Sequence, residues 1–89
     1  MKFKHENIRN KIQFFFSQLR NNGFPITHID EFQFCQVISD QKKHGRFSFH
    51  KSGTIVQISD TKTNQMLELD NNELTNIVLI GFTDFISKR

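Results

Sequence analysis

Residues 46–59 read RFSFHKSGTIVQIS, and this segment carries the clearest structural signal in the chain. Phe47 and Phe49 alternate with polar or charged residues, and a second apolar run begins after a Ser-Gly-Thr sequence. Alternation with a period of two is typical of strands, and a glycine between two such runs is typical of a tight hairpin turn. The segment therefore predicts two antiparallel strands, the second at Thr54–Ser59, joined by a turn at residues 51–54.

Further strands are predicted on both sides of this hairpin. Before it, apolar residues alternate with others over residues 31–38, beginning with Phe32 and Phe34. After it, the polar turn at residues 60–65 leads to Met66–Leu69, in which the two leucines share one face. These patterns predict a four-stranded antiparallel meander.

A helix is predicted ahead of the strands, between His5 and Asn21. Its apolar residues follow the helical repeat of about 3.6 residues and form one stripe, composed of Ile8, Ile12, Phe15, Phe16 and Leu19. Gly23 and Pro25 end the helix, because glycine tolerates the left-handed conformation and proline cannot extend a helix. Phe14 points roughly 145° away from the stripe. We expect either that another part of the structure covers Phe14 or that it anchors a partner.

A second helix is predicted at residues 72–87, after the capping segment 70–73. Its inner face would comprise Leu74, Ile77, Val78, Gly81, Phe82 and Phe85. The β-branched run at residues 76–80 leaves a buried strand as the alternative. Leu79 and Ile86 fall outside the inner stripe, which predicts contacts with both the sheet and the first helix, or a homodimer contact.

These elements predict the order α-β-β-β-β-α with short connections. Helices of an α+β protein pack on one face of the antiparallel sheet, so we expect a two-layer α+β fold with both helices on the same face. The 89 residues are enough for one domain, and we assign residues 1–89 to it. Eleven Phe residues, with no Trp or Tyr, would supply much of the core.

The chain has a single cysteine, Cys35, which excludes an intrachain disulfide. Small secreted domains usually depend on such crosslinks, and the first residues lack the apolar stretch of about 7–15 residues that a signal peptide needs. The longest apolar run, Ile77–Ile80, is far shorter than the roughly 20 residues that span a bilayer. We therefore expect a cytoplasmic protein without membrane contact.

No motif for catalysis, a metal or a cofactor stands out. The four histidines and Cys35 lack the spacing of zinc ligands, and the four glycines do not form a phosphate-binding loop. Cys35 has alternating apolar neighbours and no adjacent base, which indicates a buried structural side chain. Glu68 and Asp70 share a strand face, which is typical of a solvated surface. We expect a non-enzymatic protein that works by binding, with no metal and no cofactor.

Charge is unevenly placed along the chain, whose net charge is +3. Residues 1–51 carry nine Lys or Arg and four Asp or Glu, whereas residues 52–89 carry three and five. A basic half of this kind attracts nucleic acid or an acidic protein surface, and it also serves solubility.

The basic residues concentrate at residues 42–51. This segment, 42–51, resembles the basic-Gly-aromatic-x-aromatic motif of RRM and cold-shock sheets, which implies bases stacked on aromatic side chains and phosphates bound by Lys or Arg. If the phenylalanines instead face the helices, Arg46, Ser48 and His50 point outward on a basic sheet face. We expect nucleic acid or a nucleoprotein complex as the partner, with these candidate contacts: Lys42, Lys43, Arg46, His50 and Lys51.

The predicted order of elements is also similar in general layout to double-stranded-RNA-binding domains and to small phage-encoded anti-CRISPR inhibitors. The second likeness implies an alternative hypothesis, a protein-protein inhibitor of the mobile-element type that acts through exposed apolar surface. Its candidate contacts are Phe14, Lys11, Leu79 and Ile86.

Overall fold

The computed structural model describes residues 6–81, apart from the side chain of Ile80. Six elements follow one another in this part of the chain: α1 (Glu6–Asn21), α2 (His28–Asp40), β1 (Phe47–Ser52), β2 (Ile55–Asp60), β3 (Met66–Asp70) and α3 (Asn71–Ile80). The α+β class is confirmed. The order is α-α-β-β-β-α over these residues, so the predicted order α-β-β-β-β-α and its fourth strand are wrong.

The correction concerns residues 31–38, which belong to α2 and not to a strand. A capping box starts this helix: the Thr27 hydroxyl accepts a hydrogen bond from the Asp30 amide at 3.2 Å, and the Asp30 carboxylate accepts one from the Thr27 amide at 3.1 Å. The buried residues Phe34, Val37 and Ile38 have the i, i+3, i+4 spacing of a helix. The alternation that predicted a strand was therefore coincidental, because Phe32 is 64% exposed.

The central hairpin is present, but its turn is shorter than predicted, because Lys51 and Ser52 belong to β1 and β2 begins at Ile55. β1, β2 and β3 pair antiparallel in that order, with Phe49 opposite Ile58 and Val56 opposite Leu69. Ser52 pairs with Ile55, so that Gly53 and Thr54 alone form the turn between β1 and β2. The φ angle of Gly53 is +63°, a conformation that glycine adopts without steric cost.

The core lies between the helices and one face of the sheet. α1 packs next to β3, α2 next to β1, and α3 against β2 and β3. Alternate strand residues are buried, and they join the helix residues in one cluster: Ile8, Ile12, Phe15, Phe16, Leu19, Phe34, Val37, Ile38, Phe47, Val56, Ile58, Leu67, Leu69, Leu74 and Ile77. The predicted stripe of α1 is confirmed in full, and all the helices described here pack on the same sheet face.

α3 begins where the capping segment predicted a helix. The Asp70 carboxylate accepts a hydrogen bond from the Glu73 amide at 2.8 Å, and Glu73 accepts one from the Asp70 amide at 3.0 Å. The helix is confirmed over residues 71–80, which excludes the strand alternative there. It ends at Ile80 because the φ angle of Gly81 is +110°, so the predicted continuation through Gly81 is wrong. Leu74 and Ile77 are buried, but Val78 is 51% exposed and was wrongly assigned to the inner face. Phe82, Phe85 and Ile86 lie outside the described residues.

None of the helices between residues 6 and 81 combines the length and the apolar character needed to cross a bilayer.

Replacing Thr27 by Ala should destabilise the protein by about 1 kcal/mol, because the substitution removes the acceptor for the Asp30 amide at the start of α2. Thermal or urea unfolding followed by circular dichroism measures this loss. His28→Ala is the matched control, because His28 is exposed one residue later. Equal stability of Thr27→Ala and the control would contradict a structural role for the capping box.

Candidate binding site

Arg46 is buried, although the sequence predicted it on an exposed, basic sheet face. Only 7% of the residue is exposed, and Asp60 is fully buried. The Arg46 Nε donates to Asp60 Oδ1, and a second guanidinium nitrogen donates to Asp30 Oδ2 at 3.0 Å. The third nitrogen donates to the Phe24 carbonyl at 3.0 Å. Arg46 therefore connects β1 with β2, with the first turn of α2 and with the loop that follows α1.

The hydrogen-bond partners of Arg46 and Asp60 determine the direction in which the pKa of each group is shifted. Burial by itself would raise the pKa of Asp60, but hydrogen bonds from Arg46 and Thr63 outweigh burial and hold that pKa below its ordinary value. The hydrogen bond to Asp60 is the main reason that the pKa of Arg46 is raised, and burial opposes it. Both groups are charged at neutral pH, and their polar atoms are engaged within the protein.

The remaining basic candidates are exposed but do not share one surface. Lys42 and Lys43 lie in the loop before β1, where the Lys43 ammonium donates to the Gly45 carbonyl at 3.0 Å. Lys51 is opposite Val56, on the helix side of the sheet, whereas His50 is opposite Gln57, on the outer side. The structure thus separates these side chains.

The outer face of the sheet is polar and not basic. His50, Gln57 and Glu68 form one row across it, because His50 pairs with Gln57 and Gln57 with Glu68. By the same register the outward positions of the three strands include no Lys or Arg. The expectation of a basic outer face is therefore wrong for the described strands, since Arg46 turns inward and Lys51 lies on the opposite side.

A groove runs between α1 and β3, and we refer to it as the α1–β3 groove. Its lining residues are Lys11, Phe14, Phe15 and Gln18 from the helix, with Gln65, Met66, Leu67 and Glu68 from the strand side. Phe14 is 65% exposed and Met66 is 50% exposed. The volume, about 200 Å³, is smaller than the roughly 300–1,000 Å³ of small-molecule sites. The groove therefore fits a side chain of a protein partner better than a whole metabolite.

Lys11 forms an ion pair at the helix side of this groove. Its ammonium lies 2.9 Å from both carboxylate oxygens of Glu73, in the first turn of α3. The exposed position of Lys11 limits what such a pair adds to stability to about 1 kcal/mol or less. The position of α1, and with it that of Phe14, is set mainly by the buried apolar stripe of this helix, and the ion pair adds one contact between α1 and α3.

The other candidates for partner contact lie elsewhere. Leu79 is 76% exposed on α3 and does not line the groove, and Ile86 lies outside the described residues. Sequence reasoning missed Ile29 and Phe32, which are 69% and 64% exposed on α2, because it assigned this segment to a strand. Helical spacing of the buried residues 34, 37 and 38 was the signal that could have identified them.

A second hollow lies beside the loop that follows α1. Phe24, Pro25, Ile29 and Lys62 line it, and the Arg46 guanidinium also contributes. The Lys62 ammonium lies 5.6 Å from the centre of the Phe24 ring, a cation–π distance. Because Arg46 is already bonded to two carboxylates and a carbonyl, it is not available to an anionic ligand here.

Within residues 6–81 no three His, Cys, Asp or Glu side chains come together as a metal site would require. Cys35 is partly buried, and burial, with a smaller effect from Glu31, raises the pKa of its thiol to about 11. The protonated thiol is a poor nucleophile.

Comparison with protein-family models, with curated proteins and with solved structures gives no match. Function is accordingly inferred from the surfaces described above.

Arg46→Met should destabilise the protein by about 3–5 kcal/mol at neutral pH, because it leaves the Asp60 carboxylate buried without its partner. Lys43→Met is the matched control and should change stability by less than about 0.5 kcal/mol. Since the pKa of Asp60 is lowered in the folded protein, the stabilisation by the pair is complete above the ordinary carboxyl pKa of about 3.8 and is lost below it. Unfolding measured from pH 7 down to pH 3 should show the difference from wild type shrinking; a constant difference would contradict this role.

Alkylation of Cys35 by iodoacetamide at pH 8 should be about 100-fold slower in the folded protein than in urea, because the folded thiol has a pKa about two units above 9.0. The rate should continue to rise up to about pH 10. Mass spectrometry of quenched samples follows the reaction, with a short cysteine peptide as the reference. A rate that levels off near neutral pH would instead indicate an activated thiol.

Proposed function

We propose that this protein is a small non-enzymatic binding module that captures a protein partner through the α1–β3 groove. The observation that carries the proposal is the exposure of Phe14, 65%, beside the half-exposed Met66. An exposed aromatic ring next to a concave apolar surface is typical of an interaction site.

The composition of the groove supports a macromolecular partner. Phe15 and Leu67 form an apolar floor, and Lys11, Gln18 and Glu68 surround it with polar groups. Protein interfaces have this arrangement, with a buried apolar centre and a polar rim. A phenylalanine that already projects from a helix loses little conformational entropy on binding, which favours its use as an anchor.

A protein that covers part of a partner's surface without catalysing a reaction acts as an inhibitor or as an adaptor. The inhibitor hypothesis agrees with the exposure of the apolar side chains Phe14 and Leu79, which are 65% and 76% exposed. In this proposal Phe14 makes the central contact, Lys11 belongs to the polar rim, and Leu79 lies outside the interface.

Nucleic acid is the second candidate, because Lys42, Lys43, His50 and Lys51 remain exposed. Lys42 and Lys43 lie in the loop before β1, whereas His50 and Lys51 lie within β1 and point to opposite sides of the sheet. Such an arrangement would suit contacts to separate phosphates along a backbone, but Phe47, which would have to stack on a base, is fully buried. The groove is the better-supported site.

Phe14→Ala should reduce partner capture by about 2 kcal/mol or more, roughly 30-fold in affinity, while stability changes by less than about 0.5 kcal/mol. The tagged protein is used to capture partners from extracts of the source cell, and quantitative mass spectrometry compares wild type with Phe14→Ala. Leu79→Ala is the matched control, because it also removes an exposed apolar side chain but lies away from the groove. Equal capture by both variants would contradict the proposal.

A parallel titration with labelled oligonucleotides at two salt concentrations tests the second candidate. Tight binding that weakens steeply with salt and with the double substitution Lys42→Gln, Lys43→Gln would favour nucleic acid over the groove. We expect no binding at physiological salt.

A further inference from the structure

We propose that the α1–β3 groove takes an extended segment of its partner as a fourth, antiparallel strand on β3, and that this segment alternates basic and apolar residues. The inference rests on the proposed function, and it specifies both the binding mode and the chemistry of the partner.

The backbone groups of β3 point alternately toward β2 and away from the sheet. The Asp60 amide donates to the Gln65 carbonyl, and the Asn71 amide donates to the Thr54 carbonyl, both at 2.9 Å. In an antiparallel ladder the bonded residues alternate, so Leu67 also faces β2, whereas Met66 and Glu68 direct their N–H and C=O groups away from the sheet. No hydrogen bond joins these outward groups to any residue from 6 to 81.

Such an edge can accept another strand, because the outward N–H and C=O groups of Met66 and Glu68 have no partner strand among the described residues. The opposite edge of the sheet is less open. There Phe47 and His44 exchange two backbone hydrogen bonds of 3.0 Å, which cover the beginning of β1. β3 is therefore the edge that we assign to the partner.

The helix wall and the strand wall of the groove set the length of the segment that it can take. Lys11, Phe14 and Gln18 lie on one side of α1 at positions i, i+3 and i+7, which span roughly 10 Å at about 1.5 Å per residue. Gln65 to Glu68 span roughly 10 Å at about 3.3 Å per residue. The two walls have equal length, and they match an inserted segment of four or five extended residues.

The side chains of the inserted segment would point alternately toward α1 and toward the outer face of the sheet. In antiparallel pairing, residues opposite Met66 and Glu68 point to the outer face of the sheet, and the residues between them point toward α1. The residues that point inward meet Phe14 above the floor of Phe15 and Leu67, which favours apolar side chains. The residues that point outward meet a carboxylate.

Charge favours a basic partner at this edge. Glu68 and Asp70 are exposed on β3, and Glu73 follows in α3. Among the described residues Lys11 is the only cation that lines the groove, and its ammonium lies 2.9 Å from Glu73 Oε2. The described residues at this edge therefore carry a net negative charge, although the net charge of the chain is +3. Lysine or arginine side chains opposite Glu68 would form cross-strand ion pairs.

The experiment uses fluorescein-labelled eight-residue peptides in which valine and lysine alternate, titrated with the full chain. The residues opposite Met66 and Glu68, the lysines, would donate their amide hydrogens to β3, and the valine amides would point away. N-methylation of the lysine amides should therefore weaken binding at least 10-fold, whereas N-methylation of the valine amides should change it less than twofold. A peptide with glutamate in place of lysine should also bind at least 10-fold more weakly.

Variants of the protein supply the matching test. Glu68→Lys should reverse the preference in favour of the glutamate peptide, whereas Glu31→Lys, the same charge change on α2, should not. In the complex, hydrogen exchange at the Met66 and Glu68 amides should slow by at least 10-fold. Equal effects of the two N-methylated peptides, or unchanged exchange at these amides, would overturn strand addition.

The two proposals fail in different ways. A partner captured in a Phe14-dependent manner, together with no peptide binding and no protection at β3, would overturn strand addition and leave the proposed function standing. If Phe14→Ala captures as much partner as wild type does, the proposed function is overturned instead.

Discussion

The buried pair of Arg46 and Asp60 is the constraint on which the arrangement of the elements depends. One guanidinium joins the start of β1, the end of β2, the first turn of α2 through Asp30, and the loop after α1 through the Phe24 carbonyl. Burial of two charges is costly, and only complete hydrogen bonding compensates for it. The pair therefore tolerates few alternative positions of α2 and of the loop, and α2 covers the β1 side of the sheet as a result.

Because α2 covers β1, the other two helices pack over the remaining strands of the sheet. α1 lies over the β3 side, and α3 follows directly from β3 through the capping box of Asp70 and Glu73. α1 is held there mainly by its buried apolar stripe, and the Lys11–Glu73 ion pair adds a weak contact with α3. The position of Phe14 beside the edge of β3 thus follows from burial of its neighbours on the helix, and not from burial of Phe14 itself.

Local patterns predicted most of the elements but not the site. The helical stripe of α1 and the hairpin around Gly53 depend on nearest neighbours in the chain, and both form as expected. The strand predicted at residues 31–38 was wrong because alternation was weighed without the capping box at Thr27. Exposure of Phe14 was predictable from the helical wheel, whereas its proximity to Met66 depends on packing between residues that are 52 positions apart in the chain. Arg46 was misplaced because a basic residue beside a strand predicts exposure unless its acidic partners are known.

The two edges of the sheet carry opposite charge, and this has a consequence for the protein at high concentration. β1 carries His50 and Lys51 before its last residue, Ser52, whereas β3 carries Glu68 and Asp70. A basic edge of one molecule and an acidic edge of another are complementary, and such a head-to-tail contact generates an open filament instead of a closed assembly. The two-residue bridge from His44 to Phe47 shortens the free part of β1. It would thereby act against polymerisation while leaving β3 open, so that the molecule can accept a strand without readily offering one.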